Sequence, residues 1–212
     1  MRKKSALVIL GLLALGGTAR AEEGASVSLA SEPAAPKHRK ILVGASFLPM
    51  ALGQYKFSDT FTTTASTDAY LAYGVGVSAS YEVLPGLFVG LAPQLIFNVQ
   101  AKPADNVPYS PAMMELDLMA RVAYGYRVVD TISVYAEVLP GFSDLIPSDD
   151  ASPSRGFVLG FGVGCTVDMT DRFFLNIGGG YQIGFQNQKE GIHTLELRTQ
   201  YVRIAMGGGV KF

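Results

Sequence analysis

The chain has 212 residues, enough for a single domain, and is 49% hydrophobic but only 17% charged. Its 17 basic and 18 acidic residues nearly balance, so it lacks the basic excess that typically marks nucleic-acid-binding proteins. The single cysteine, Cys165, excludes a small secreted scaffold held together by internal disulfides.

Residues 1–21 have the three parts of a secretory signal peptide. Arg2, Lys3 and Lys4 are followed by the apolar run ALVILGLLALGG, and residues 19–21 (ARA) offer an A-x-A cleavage site. The apolar run is shorter than the ~18 to 20 residues that a membrane-spanning helix needs. We therefore expect export across the inner membrane and loss of this segment, which leaves 13 basic and 18 acidic residues, a net charge of −5.

The rest of the chain divides into a short lead-in and one domain. Residues 22–38, EEGASVSLASEPAAPKH, are small, polar and proline-containing, and we interpret them as a flexible periplasmic lead-in. Residues 39–212 contain no unbroken apolar run long enough for a spanning helix. In lipid, only helices and closed barrels satisfy the hydrogen-bonding groups of the backbone. A membrane location for this domain therefore requires a β-barrel.

Apolar residues alternate with small or polar residues through eight segments, the period expected of β-strands. The segments are about 40–50, 69–83, 87–99, 113–127, 131–142, 156–168, 172–186 and a last strand that keeps its pattern to Phe212. The fourth segment is the most informative, because its apolar stripe alternates with Glu115, Asp117 and Arg121. We expect the apolar stripes to face outward and the charged stripes inward.

The connections between these segments alternate in length. Three are short (84–86, 128–130 and 169–171), and four are long and polar (51–68, 100–112, 143–155 and 187–196). Short turns at one end and long loops at the other are typical of outer-membrane barrels. The sequence therefore predicts an all-β, eight-stranded, antiparallel up-and-down transmembrane β-barrel.

The strands of a soluble sandwich or lipocalin-type barrel also alternate between apolar and polar residues. In such a protein the apolar stripe would face the interior and the small or polar stripe would face water. Here that stripe consists largely of glycine runs with little charge in the sixth and seventh segments. Aromatic residues also cluster at both strand ends, for example Tyr124 and Tyr126 beside a short turn and Phe157 and Phe185 near the long loops. Two such girdles favour a membrane barrel.

Residues 39–212 resemble the small eight-stranded outer-membrane barrels of the OmpA, OmpX and OmpW type. The most specific part is the ending, in which Phe212 is preceded at alternate positions by Val210, Gly208, Met206, Ile204 and Val202. In that family such an ending looks like the signal read by the barrel-assembly machinery. The resemblance implies a cell-envelope protein of the outer membrane of a Gram-negative bacterium, in contact with lipid and lipopolysaccharide, and we expect a monomer.

The inward stripes carry charges that nearly cancel: the acids Glu82, Glu115, Asp117, Glu137 and Asp168, and the bases Arg121, Arg127, Arg203 and Lys211. A register in which partner numbers sum to 258 pairs Arg121 with Glu137. We therefore predict a lumenal salt bridge between these two residues, with Arg203, Glu115 and Asp117 nearby. We interpret the charges as a polar plug, with a proton relay or a selectivity filter as alternatives.

These patterns favour a structural or surface-interaction protein that uses its external loops and is not an enzyme. One alternative is a narrow pore or small-molecule carrier. The other is an outer-membrane lipid-modifying enzyme, for which His193, Thr194 and Glu196 are the only near match, with no serine beside them.

We expect no cofactor and no metal. The acidic residues Asp144, Asp149 and Asp150 are more simply a solvated loop than a calcium site. The external loops are polar and do not identify a ligand.

Overall fold

The computed structural model describes residues 41–59, 62–103, 112–148, 152–190 and 193–212. The expected signal peptide and lead-in, residues 1–38, lie outside these ranges, as do parts of the long loops. None of the described residues forms a helix long and apolar enough to cross a membrane.

The described residues form ten antiparallel strands. They are β1 (Ile41–Asp59), β2 (Thr62–Asp68), β3 (Ala72–Leu84), β4 (Leu87–Leu91), β5 (Gln94–Val99), β6 (Met113–Val129), β7 (Ile132–Pro147), β8 (Ser154–Asp168), β9 (Phe173–Glu190) and β10 (His193–Lys211).

These strands close into a ring with eight positions. β2 and β3 both pair with β1 and share one position, while β4 and β5 both lie between β3 and β6 and share another. β1 also pairs with β10, from Leu42 opposite Lys211 onward, and this pairing closes the barrel. The predicted eight-stranded antiparallel up-and-down barrel is confirmed.

The large apolar side chains face outward. On β3, Val75 and Val77 are 51% and 58% exposed, whereas Gly74 and Gly76 are buried. The same alternation holds on β6, where Leu118 is 60% exposed and Met119 is 2% exposed. An apolar band exposed around a closed barrel would be unfavourable in water. It is favourable in a lipid bilayer, where these side chains contact hydrocarbon.

Several strands are longer than predicted at the long-loop end. β1 runs to Asp59 rather than 50, β7 to Pro147 rather than 142, and β9 to Glu190 rather than 186. β2 occupies part of a segment expected to be a loop. The apolar pattern stops earlier than the strands because ladder hydrogen bonds join backbone groups and continue between polar residues such as Gln54 and Asp68.

The third predicted strand is interrupted at Ala92 and Pro93, between β4 and β5. Proline has no backbone N–H to donate to a ladder. The neighbouring strands bridge the gap, since Ala92 donates to the Met119 carbonyl at 2.8 Å and Val77 donates to the Pro93 carbonyl at 3.1 Å. The ring therefore stays closed around the interruption.

Candidate functional site in the barrel lumen

The inward side chains fill the lumen in layers between the short-turn end and the long-loop end. Nearest the short turns, Asp168 of β8 forms ion pairs with Lys211 of β10 and Arg127 of β6. Glu82 accepts a hydrogen bond at 2.8 Å from the backbone N–H of Gly86, which has a φ of 78° in the turn between β3 and β4. The charges at this end are therefore satisfied locally.

The next layer, the arginine cluster, consists of Arg121, Glu137 and Arg203. Arg121 donates from Nε to Glu137 Oε2 at 2.8 Å, and Arg203 donates from Nη2 to Glu137 Oε1 at 2.6 Å. Arg121 also donates to Ser80 Oγ at 3.2 Å and lies over the ring of Tyr135, 5.6 Å from its centroid. One carboxylate thus holds two guanidinium groups that are largely buried.

The expected register between β6 and β7 is wrong by two residues. Glu137 lies opposite Ala123, so partner numbers sum to 260 rather than 258, and the Arg121 to Glu137 contact is diagonal. Both residues still face inward because a shift of two preserves the face. A side chain as long as arginine reaches a diagonal neighbour.

Glycines on β8 and β9 make room for the arginine cluster. A Cβ at Gly162 would lie 3.1 Å from Glu137 Oε1 and 3.3 Å from Arg203 Nη2. The glycine run of β8 therefore leaves space for long side chains that project from β7 and β10.

Glu115 and Asp117 form a separate layer, the acid pair, closer to the long loops. Asp117 Oδ2 accepts hydrogen bonds from Gln94 Nε2 at 2.6 Å and from Gln182 Nε2 at 2.8 Å. Glu115 Oε1 accepts from Ser143 Oγ at 2.9 Å. Both acids are fully buried, and neither takes part in an ion pair within the described ranges. The single charge network expected from the sequence is thus two separate clusters.

Next to the acid pair and toward the long loops, buried apolar side chains pack together in the lumen, and we call this cluster the plug. Its centre is Tyr55 of β1 and Tyr201 of β10, whose rings pack edge to face with centroids 6.1 Å apart and whose hydroxyls are hydrogen-bonded to each other. Buried around them are Met50, Ala69, Ala72, Ile96, Val99, Ala101, Leu145 and Leu197.

The plug was not predicted from the sequence. Tyr201 continues the inward stripe of the last strand and could have indicated a buried aromatic residue in the lumen. Tyr55 lies in a segment expected to be a loop.

Two small cavities adjoin the arginine cluster, each of about 60 Å³. Both are lined by Arg121, Tyr135 and Asn176, together with Ser46 and Ser78. Each has room for a few water molecules but not for a substrate-sized organic molecule.

Of the residues considered for catalysis or calcium binding, His193, Thr194, Glu196 and Asp144 lie within the described ranges. His193 begins β10 opposite Glu190, and Glu196 is exposed. Asp144 pairs with Arg155 at 3.3 Å, while Asp149 and Asp150 lie outside the described residues. In the part of the chain that the structure describes, no group of three or more His, Cys, Asp or Glu side chains is placed to hold a metal ion.

The residues of the expected assembly signal lie on the outer face of β10. Ile204, Met206 and Phe212 are exposed and Val210 is half-buried. The Phe212 N–H donates to the Ile41 carbonyl at 2.9 Å, and the Ile41 N–H donates to the Phe212 carbonyl at 3.2 Å. The last residue of the sequence is thus tied to β1 where the ring closes.

No protein-family model matches this chain, and no curated protein sequence matches it. Solved structures are similar in fold. The crystal structure of the outer membrane protein OprG from Pseudomonas aeruginosa shares 11% identity with a TM-score of 0.59, and the match covers 82% of this chain and 96% of OprG.

Two further structures are similar. The solid-state NMR structure of the outer membrane protein AlkL in DMPC lipid bilayers has 13% identity and a TM-score of 0.54, with 89% of this chain and 98% of AlkL covered. Neisserial surface protein A, NspA, has 15% identity and a TM-score of 0.51, with 81% and 97% covered. At such low identity the likeness shows the fold, that of small outer-membrane β-barrels, and carries no activity across.

Proposed function

We propose that this protein is an outer-membrane β-barrel with a closed lumen, which acts as a rigid, non-enzymatic scaffold and holds its long-loop end outside the cell as an interaction surface. The proposed location is supported by the apolar outer face, by the predicted signal peptide, and by a fold shared with the outer membrane proteins OprG and AlkL. In such barrels the short turns face the periplasm and the long loops face outside.

The observation that carries a closed lumen is the plug around Tyr55 and Tyr201. Both tyrosines are fully buried, as are Met50, Ile96 and Leu145 around them. An eight-stranded barrel has an interior only just wide enough to be filled by side chains. With the acid pair and the arginine cluster packed below, the structure favours a solid interior over a continuous channel.

The outer end of the barrel supports a scaffold role because its strands are tied together there. Lys102 donates from its backbone N–H to the Asp68 carbonyl at 2.8 Å, and Tyr70 donates to the Gln100 carbonyl at 2.9 Å. Thr67 Oγ1 also donates to the Lys102 carbonyl at 2.9 Å. Polar loops mounted on a rigid frame are the common arrangement for recognition surfaces.

Single-channel recording in planar lipid bilayers tests the closed lumen. The mature chain, refolded and shown by gel mobility to be folded, is expected to give no discrete conductance steps, with a 16-stranded porin as the positive control. A Tyr55→Ala/Tyr201→Ala double variant, checked for folding in the same way, is expected to stay closed as well, because the acid pair and the arginine cluster still fill the lumen below the plug. Steps from the wild-type chain would instead favour the narrow pore or carrier.

Mass spectrometry of lipid A tests the non-enzymatic part of the proposal. Cells with and without the protein are expected to have the same lipid A species. A change in mass that depends on His193 would contradict the proposal and favour the lipid-modifying enzyme.

A further inference from the structure

The acid pair has buried oxygen atoms that lack a hydrogen-bond donor. Oε2 of Glu115 and Oδ1 of Asp117 are both buried with no hydrogen-bond partner among the described residues, although the other oxygen of each carboxyl group accepts two hydrogen bonds. The two residues are two positions apart on β6, so their side chains project from the same face of the strand into the lumen, where both are fully buried. A buried polar atom without a partner is rare in native proteins and calls for an explanation.

The described residues that contact the acid pair supply no positive charge. The facing side chains of β5, β7 and β9 are the neutral Gln94, Ser143, Gln182 and Gln186. The titratable groups that face the pair are the hydroxyls of Tyr55 on β1 and Tyr201 on β10. Arg121 and Arg203 instead donate to Glu137.

Gln186 shows that hydrogen-bond donors are scarce in this layer. It is only 1% exposed, its Nε2 donates to Ser143 Oγ at 3.1 Å, and its own Oε1 has no donor among the described residues. The unpartnered atoms of the acid pair are likewise acceptors, so a bound proton would supply the donor that they lack.

The described inward charges agree with this. Among the inward side chains that the structure describes, the acids are Glu82, Glu115, Asp117, Glu137 and Asp168, and the bases are Arg121, Arg127, Arg203 and Lys211. These five acids exceed the four bases by one. The excess falls in the acid pair, and one bound proton makes this set of side chains neutral. Burying two adjacent carboxylates with no cation is strongly unfavourable because both lose their hydration, so a shared proton is the more stable arrangement.

We propose that Glu115 and Asp117 form a proton-binding site in which one proton is held between Glu115 Oε2 and Asp117 Oδ1. The proton is bound as a carboxyl group of one residue donating to the carboxylate of the other. It satisfies both partnerless oxygens with one hydrogen bond. It also lowers the charge of the acid pair beside the plug, at a layer where the described residues provide no cation.

Infrared spectroscopy of the refolded mature chain detects this proton directly. At neutral pH the wild-type barrel is expected to show the carbonyl stretch of a buried protonated carboxyl group, shifted in D₂O. The band is expected to be lost in Glu115→Gln and retained in Glu196→Gln, which makes the same chemical change at an exposed position of β10. Absence of the band from folded wild-type protein overturns the proposal, whether or not the variants fold.

The pH dependence of unfolding is a second measure. An exposed glutamate releases its proton near pH 4.3, so at neutral pH the unfolded chain binds one proton fewer than the barrel. Stability is therefore expected to fall as pH rises, with the unfolding equilibrium constant increasing about tenfold per pH unit relative to Glu115→Gln.

Adding Ca²⁺ or EDTA distinguishes a proton bound at the acid pair from a metal ion bound there. Neither addition is expected to change the wild-type unfolding midpoint. Stabilisation by Ca²⁺ that Glu115→Gln removes would show a metal ion between the two carboxylates and would overturn the proposal.

Discussion

Glu137 Oε2 accepts a hydrogen bond at 2.8 Å from Arg121 Nε, although the residue opposite Glu137 across the β6–β7 ladder is Ala123. The small side chain of Ala123 leaves the space that Arg121 crosses. Since Arg203 holds the other oxygen of Glu137 at 2.6 Å, the carboxylate joins three strands of the ring. Glu137 is thus the centre of the arginine cluster.

This arrangement predicts that Glu137→Gln is more damaging than Arg121→Leu. The first change leaves two arginines buried around a neutral amide and is expected to cost about 4 kcal/mol. The second leaves Glu137 paired with Arg203 and is expected to cost about 2 kcal/mol. Urea unfolding in lipid vesicles, followed by circular dichroism because the chain has no tryptophan, measures both. Equal costs would mean that Arg203 does not hold Glu137.

The barrel could be predicted from the sequence because one physical pattern repeats through it. Alternation of Leu116 and Leu118 with Glu115 and Asp117 sets the outward and inward faces, and that alternation does not depend on register. The short turns and the outward aromatic residues follow from the same strand assignments. These features are local, so a single sequence is enough to show them.

Other features depend on contacts that no local pattern encodes. The register between β6 and β7, and with it the diagonal position of Arg121, depends on how the turn at Asp130 and Thr131 closes. The plug joins Tyr55 to Tyr201 across 146 positions of the chain. The acid pair was expected near Arg121 because these residues share the inward stripe of one strand. Asp117 and Arg121 are four residues apart along β6, however, roughly 13 Å at about 3.3 Å per residue, so they lie in different layers.

The glycines of β9 provide a test of which face looks inward. A Cβ at Gly180 would lie 2.1 Å from the Phe161 carbonyl oxygen, whereas a Cβ at Gly179 would meet nothing closer than the Arg203 carbonyl oxygen at 3.9 Å. We expect Gly180→Ala to destabilise the barrel by about 1 to 3 kcal/mol because β8 must shift. Gly179→Ala is the matched control and is expected to change stability by less than about 0.5 kcal/mol. Unfolding midpoints in vesicles give the comparison, and the opposite order would reverse the two faces.

A charge on the outer face tests the membrane position of β6. Val122 lies near the middle of the strand and Tyr126 near its short-turn end, and both are exposed. Val122→Arg is expected to cost about 2 to 4 kcal/mol and Tyr126→Arg about 0 to 1 kcal/mol, since the penalty falls toward the interface. The measurement is the free energy of unfolding in phosphatidylcholine vesicles. A similar small cost at both positions would contradict burial of this band in hydrocarbon.

Phe212 combines two roles that variants can separate. Its backbone exchanges two hydrogen bonds with Ile41 where β10 meets β1, while its side chain is 62% exposed on the outer face. Phe212→Ala keeps the backbone bonds, so the purified chain is expected to refold in vesicles with nearly wild-type stability. Deletion of Phe212 removes both hydrogen bonds, each worth about 1 kcal/mol, and is expected to weaken the pairing of β10 with β1 that closes the barrel. In cells, both variants are expected to reduce the amount of heat-modifiable barrel in the outer membrane if the exposed aromatic side chain is read during assembly. A wild-type amount of assembled Phe212→Ala, with a loss confined to the deletion, would show that this residue acts through ring closure and not as a recognition signal.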